Sequence, residues 1–160
     1  MVVTRPQVRI RGALETDREF ILSLAPRLAE FGPPPWRSEE EIARGERRTL
    51  AAALDSPVSG AELLLAESSD GVPLGFIYLE SPLDYFRQTP HAHVGVLAVA
   101  ESAEGHGVAG ALMRAGEAWA RAHGFDTMTL NVFAGNARAR AFYQRLGYEP
   151  ETLRYVRRLP

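Results

Sequence analysis

Polar and apolar residues alternate along "QVRIR", residues 7–11, with Val8 and Ile10 on one face and charge on the other. A period of two predicts a half-buried strand. The period then lengthens. Phe20, Leu24, Leu28 and Phe31 recur at helical spacing, and Thr16 with Glu19 three residues later makes a capping box at the head of that helix. Pro26 should kink it or end its regular part. "FGPPPW", residues 31–36, reads as a loop. A second helix is expected from Ser38, whose pairing with Glu41 repeats the capping box, to about residue 54. Its acids Glu39, Glu40 and Glu41 come first and Arg44, Arg47 and Arg48 follow, as the helix dipole favours.

"AELLLAE" and "PLGFIYLE" predict two strands joined by a hairpin turn at "SSDG". "LDYFRQTP" is a loop and "HAHVGVLAV" a third long strand. A helix is predicted over residues 107–123, with Val108, Leu112, Ala115 and Trp119 on one face and Gly124 placed to end it. "DTMTLNV" is another strand. "AGNARARAFYQRLG" is a short helix with Asn136 at its start and Gly147 at its end. "LRYVRRL" is a final strand, and a further short strand has room to begin at Tyr148. Short turns between the earlier strands imply antiparallel pairing. The strand–helix–strand unit from "HAHVGVLAV" to "MTLNV" implies one parallel pair. The expected class is α/β: a mixed, mostly antiparallel central sheet with helices on both faces.

Composition narrows the picture. The 160 residues fit one domain spanning 1–160, and 46% hydrophobic with 24% charged residues argues against disorder. A formal charge of −2 gives no electrostatic reason to expect nucleic-acid or membrane partners. The chain has no cysteine, so disulfides, cysteine nucleophiles and cysteine metal sites are excluded. No apolar run approaches the ~18 residues of a membrane span. The first residues lack a signal-peptide apolar region. These absences give a soluble, cytoplasmic expectation. His91 and His93 form an H-x-H pair, but with only His106 and His123 besides, no metal is expected.

"GHGVAG", residues 105–110, fits G-x-G-x-x-G, the dinucleotide fingerprint. The context is wrong for it. That motif turns directly off a strand end and needs an acid closing the next strand about 20 residues on. Here the strand ends near Val99, "AESAE" intervenes, and Asn131 and Val132 stand where the acid should be. Asp126 is at the opposite end of that strand. A glycine-rich turn opening a helix is also an anion site through its backbone N–H groups, and Gly105 and Gly107 let a phosphate approach closely. The bland alternative is a loop with flexible glycines.

The segment "VLAVAESAEGHGVAGALM", followed by "MTLNVFAGNARARAFYQRLGY", resembles the GCN5-related N-acetyltransferase (GNAT) family. That family's pattern is L-x-V at a strand end, [Q/R]-x-x-G-x-[G/A] opening a helix, then N-x-x-A-x-x-F-Y-x-x-x-G-[FY]. The corresponding residues are Leu97, Ala98 and Val99; Glu104, Gly107 and Ala109; then Asn136, Ala139, Phe142, Tyr143, Gly147 and Tyr148. The match runs over 96–148, about a third of the chain. Glu104 departs from the usual Gln or Arg, and a carboxylate near phosphates is unfavourable unless it points away.

The resemblance implies an acyl-CoA N-acyltransferase fold, acetyl-CoA as co-substrate, and a primary amine of a small molecule or peptide as acceptor. The amine would attack the thioester directly, giving a tetrahedral oxyanion. Backbone N–H groups at Glu104, Gly105, His106, Gly107, Val108, Ala109 and Gly110 would hold the pyrophosphate. The pantetheine would pair along Leu97, Ala98 and Val99, where backbone N–H groups can also meet an oxyanion. Asn136 would contact CoA, or serve as a plain N-cap. Tyr143 would be the general acid, or a core aromatic beside Phe142 and Leu146. An alkylamine with a pKa near 10 must lose a proton before it attacks. His93 and Glu80 are the candidate bases, with a water chain as the third choice. Trp36, Tyr85 and Phe86 would wall the acceptor pocket and Asp84 pair with an ammonium, unless these residues only pack their loops. A catalytically silent acyl-CoA-binding domain of the same fold is the competing reading. A homodimer is a further expectation, for which "LRYVRRL" offers an edge strand.

Overall fold

The computed structural model describes residues 7–160, beginning with the strand β1 (Arg9–Gly12). The apolar stripe after it does not make one helix. A 3₁₀ turn (Glu15–Asp17) leads into α1 (Arg18–Ser23), and a second 3₁₀ turn (Ala25–Ala29) follows. Pro26 has no N–H to give and would crowd the carbonyl of Leu22, so the α-helix stops short of it. Thr16 and Glu19 do not form the capping box expected of them. Leu14 is the N-cap, and Asp17 Oδ2 accepts its N–H at 2.7 Å. Asp17 is buried, and Arg11 holds it with two bonds of 2.7 and 3.0 Å while Arg11 Nε donates to Glu67 at 2.8 Å. A buried carboxylate needs such partners. The Arg11 hydrogen bonds hold the Asp17 carboxyl below its ordinary range.

α2 (Glu39–Asp55) starts as expected, with Ser38 Oγ accepting the Glu41 N–H at 3.0 Å. The Glu41 carboxylate turns to Arg37 instead of back to the cap. β2 (Glu62–Glu67), β3 (Pro73–Glu80), β4 (Ala92–Val99) and β5 (Met128–Leu130) complete a sheet ordered β1-β2-β3-β4-β5. The first three junctions are antiparallel and β4–β5 is parallel, with α3 (Val108–Ala122) as the crossover and α4 (Ala137–Arg145) after β5.

Helices cover both faces. Ile21, Leu24 and Leu50 pack on Leu65, Phe76, Tyr78, Val96 and Ala98. On the other face Val108, Leu112 and Met113 pack on Ala66, Ile77, Leu79 and Val94. The buried stripe of α3 is Val108, Leu112, Met113, Gly116 and Ala120, while Ala115 and Trp119 lie half-buried at its margin.

The predicted final strand does not form, and neither does the short one at Tyr148. Residues 149–160 have no helix or strand and are exposed throughout. A strand exists only where its N–H and C=O groups meet a neighbour. Within the described residues, this segment meets none.

Candidate active site

Two irregularities of β4 open a cleft. In the β3–β4 register Tyr78 faces Val96 but Leu79 faces Val94, so Gly95 is an extra residue, a β-bulge. On the other side the β4–β5 ladder runs Ala92–Met128, His93–Thr129, Val94–Leu130 and stops. From Gly95 to Val99 the backbone of β4 has no strand on that side. Leu97 and Val99 therefore line a wedge between β4 and the chain leaving β5.

The glycine turn closes one end of the wedge. Gly105 and Gly107 have φ of 74° and 80°, a region that favours glycine, and no atom lies within 4 Å of where a Cβ would stand on either. α3 starts at Val108, so its first N–H groups, including Val108, Ala109 and Gly110, have no acceptor inside the helix. His106 is exposed between the two glycines. The space and the free donors fit a phosphate group.

Glu104 enters this turn already engaged. Its carboxylate accepts from Arg27 and pairs with Arg138 at 3.3 Å. Both guanidinium groups lie over the Phe31 ring, at 5.6 Å for Arg27 and 5.0 Å for Arg138. Arg27 also reaches the Val99 carbonyl at 3.3 Å. Arg138 first, then Arg27, hold the Glu104 carboxyl below its ordinary range. The charge that opposes phosphate is thus matched by two cations at the same turn. This cluster joins residues far apart in sequence, so no local motif could have announced it.

Asn136 is the N-cap of α4, its Oδ1 accepting the Ala139 N–H at 3.0 Å. Its amide nitrogen remains free to donate. Tyr143, two turns along α4, packs against the buried cluster that includes Val108 and Leu112. Burial pushes its phenol up to about 12. It stays protonated at any physiological pH.

His93 and Glu80 are cross-strand partners in the β3–β4 ladder. Glu80 leans over Gly95, where an added Cβ would sit 2.6 Å from Glu80 Oε2. Thr129 on β5 was not singled out by sequence reasoning, yet it orders this face. His93 Nδ1 lies 2.8 Å and His91 Nε2 2.9 Å from its Oγ1. A hydroxyl donates one hydrogen bond, so one ring must donate to it. With His93 Nδ1–H as that donor, His93 Nε2 carries the lone pair. Burial, the leading cause, pushes His93 below the ordinary histidine value. It is then neutral at neutral pH, as a proton acceptor must be.

The candidate acceptor residues are dispersed. Asp84 Oδ1 accepts the Phe86 and Arg87 N–H groups at 2.9 and 2.7 Å, which folds its own loop and holds its carboxyl below the ordinary range. Tyr85 and Phe86 stack edge to face at 5.1 Å on the exposed tip of that loop. Trp36 is exposed on the proline loop. A cavity of 540 Å³ opens instead between α2 and the chain after β5, lined by Ile42, Glu46, Arg48, Thr49 and Phe133 among others. Glu46 is half-buried there, and burial pushes its carboxyl up. Sequence reasoning missed Glu46, because nothing in its helix distinguishes it from its acidic neighbours.

Among the described residues, no group of three or more His, Asp and Glu is assembled to hold a metal, and no helix is long and apolar enough to cross a membrane.

Comparison with known proteins agrees with this geometry. Curated proteins give no sequence match. A candidate acetyl transferase from Pyrococcus furiosus superposes with a TM-score of 0.77 at 23% identity, covering 96% of this chain and 100% of that one. The aminoglycoside N-acetyltransferase AAC(6′)-Iy, in complex with the bisubstrate analogue CoA-S-monomethyl-acetylneamine, superposes with a TM-score of 0.67 at 22% identity, over 96% and 99% of the two chains. An aminoglycoside 6′-N-acetyltransferase from Acinetobacter haemolyticus gives 0.65 at 20% identity, over 95% and 99%. These are likenesses of fold. The sequence model of the Acetyltransferase (GNAT) family matches residues 23–148, most of the chain, and with the parted strands and the glycine turn it settles the assignment: this chain belongs to the GNAT acetyltransferase family.

Proposed function

We propose that this protein transfers an acetyl group from acetyl-CoA to a primary amine of a small molecule or peptide. The observation that carries the reading is the wedge between β4 and β5, with the glycine turn at one end and Tyr143 on the helix that follows β5. Acetyl-CoA supplies an activated acetyl thioester. The chain does the rest. N–H groups from Gly105 to Gly110 receive the pyrophosphate at the head of α3, where the helix dipole adds roughly 0.3–1 kcal/mol. Arg138, held by Glu104, adds positive charge beside it. The free edge of β4 at Leu97 and Val99 takes the pantetheine as a strand would be taken. The Asn136 amide donates to the same arm.

Tyr143 Oη donates a hydrogen bond to the departing sulfur and relays the proton that sulfur finally carries. A thiol ionises near 8.5, below the phenol, so hydrogen-bond donation precedes any proton transfer. His93 Nε2 takes the proton from the acceptor ammonium, while Thr129 holds the ring by Nδ1. Glu80 lies across the ladder, where its charge favours the imidazolium so formed. The acceptor enters from the α2 side. The 540 Å³ cavity there sets Glu41 and Glu46 beside Arg37, Arg44 and Arg48, a mixed charged lining, and proteins of similar fold include aminoglycoside acetyltransferases.

Calorimetric titration with acetyl-CoA, with NAD as control, tests the reading. Binding of acetyl-CoA alone is expected, followed by release of free CoA thiol when amines, aminoglycosides first, are supplied. The chain has no cysteine, so a thiol reagent sees only the product. Binding of NAD alone would restore the dinucleotide reading. Binding of acetyl-CoA without turnover on any amine would favour the silent domain.

The base has its own signature. A neutral imidazole must lose function as it protonates, and burial moves that event below the ordinary histidine value of about 6.5. The kcat/KM profile should therefore fall only on the acid side of that value. His93→Ala should abolish this limb and lower the plateau by about 10²-fold. An unchanged limb would transfer the role to Glu80 or water.

A further inference from the structure

We propose that the cavity over α2 selects an acceptor that carries a carboxylate as well as its reacting amine, an amino acid or short peptide, with Arg48 taking the carboxylate and Glu46 an N–H group of the same molecule. The inference rests on the acetyl-transfer reading and names its acceptor class.

Helical spacing divides the α2 side of the cavity into three rows, because residues four apart stack along one line of a helix. Glu41, Gly45 and Thr49 make the middle row. Ile42 and Glu46 flank it on one side, Arg44 and Arg48 on the other. Phe133 faces them from the chain leaving β5, the same chain that bounds the wedge.

Most charges here are already matched. Arg37 donates to Glu41 at 2.7 Å and Arg44 to Glu40 at 2.6 Å. Among the described residues, Arg48 and Glu46 have no ion-pair partner. They stand two apart in the helix, so they face away from each other and do not pair. A purely cationic ligand would meet Arg48 as a like charge, and a purely anionic one would meet Glu46. A molecule with a carboxylate at one end and an N–H donor at the other satisfies both. Glu46 is half-buried, and burial pushes its carboxyl up. A donor placed against it favours the charged form again.

Gly45 leaves the space. Glycine is a weak helix former, and Gly45 stands inside a 17-residue helix. It is not one of the glycines with positive φ, and no atom lies within 4 Å of where its Cβ would stand. Neither a turn nor close packing calls for glycine there. A side chain at this position would fill the middle of the cavity. The 540 Å³ volume falls within the roughly 300–1,000 Å³ of small-molecule sites.

Release of free CoA thiol from matched acceptors tests the inference. L-lysine is set beside cadaverine, which lacks only the carboxylate, and alanyl-alanine beside its C-terminal amide. At least one carboxylate-bearing member should exceed its partner by about tenfold or more in kcat/KM. Arg48→Gln should erase that preference, and Glu46→Ala should slow both members of the pair alike. Gly45→Leu should lower kcat/KM for the preferred acceptor by about tenfold or more, while acetyl-CoA affinity holds and the melting temperature does not fall. Thiol release without a carboxylate preference overturns the inference, and so does full turnover in Gly45→Leu. Amide NMR shifts of residues 41–49 and 133, followed as the same four compounds are added, read the cavity without turnover. Shifts with lysine or alanyl-alanine that vanish in Gly45→Leu, with no thiol released from any amine, would uphold the site and fail the acetyl-transfer reading. No shift with any of the four compounds overturns the site.

Discussion

Tyr143→Phe is expected to lower kcat for acetyl transfer by about 10²-fold or more while leaving acetyl-CoA affinity within about twofold. The substitution removes one oxygen and keeps the ring. The ring makes the contacts: it packs against the buried cluster that includes Val108 and Leu112, and stands edge to face with Phe142 and Tyr148. Folding and the wall of the wedge should therefore survive. What disappears is a phenol proton held in place at every physiological pH. A group needed only as sulfur departs costs kcat and spares binding. The measurement is steady-state kinetics beside calorimetric titration of both proteins with acetyl-CoA. Equal loss in affinity and turnover would make Tyr143 a packing residue. Unchanged turnover would remove it from the mechanism.

The alkaline side sharpens the same test. Burial raises the Tyr143 pKa to about 12, so loss of the donor belongs far above the physiological range. A wild-type rate that fell near 10, the ordinary tyrosine value, would contradict a buried donor.

Much of this fold is legible in short stretches of sequence. "AELLLAE", "SSDG" and "PLGFIYLE" declare a hairpin locally, and Asn136 and Gly147 declare the ends of α4. What failed was decided by partners distant in sequence. Asp17, not Glu19, serves the first cap because Arg11 and Leu14 meet it there. "LRYVRRL" has a strand's pattern and no ladder among the described residues. The site divides the same way. Gly105 and Gly107 signal their role by residue type, since both need positive φ. Thr129 and Glu46 carry no such mark. The bulge at Gly95 arises only when β3 and β4 are set in register. Glu104 is anomalous beside the glycine turn only while Arg27 and Arg138 are left out.

Gly32→Ala should be the most destabilising of the small substitutions, by roughly 2–4 kcal/mol, for two independent reasons. Gly32 has φ of +65°, which costs a residue with a Cβ about 1–2 kcal/mol. The added carbon would also stand 2.3 Å from Asn136 N and 2.4 Å from Gly135 C. Those are main-chain atoms, which no rotamer change can move aside. The proline loop and the loop after β5 would have to part. Asn136 is the N-cap of α4, and α4 carries Tyr143, so the separation should reach the active site as well. Gly124→Ala is the matched control. Its φ is +76°, but no atom lies within 4 Å of the new carbon. It should pay only the backbone term. Thermal unfolding of the two variants isolates the steric part. At about 2–4 °C per kcal/mol for a chain of this size, Gly32→Ala should melt several degrees below Gly124→Ala. It should also lose turnover that Gly124→Ala keeps. Equal melting temperatures would mean that the two loops part freely, and that nothing fixes α4 against the acceptor side of the wedge.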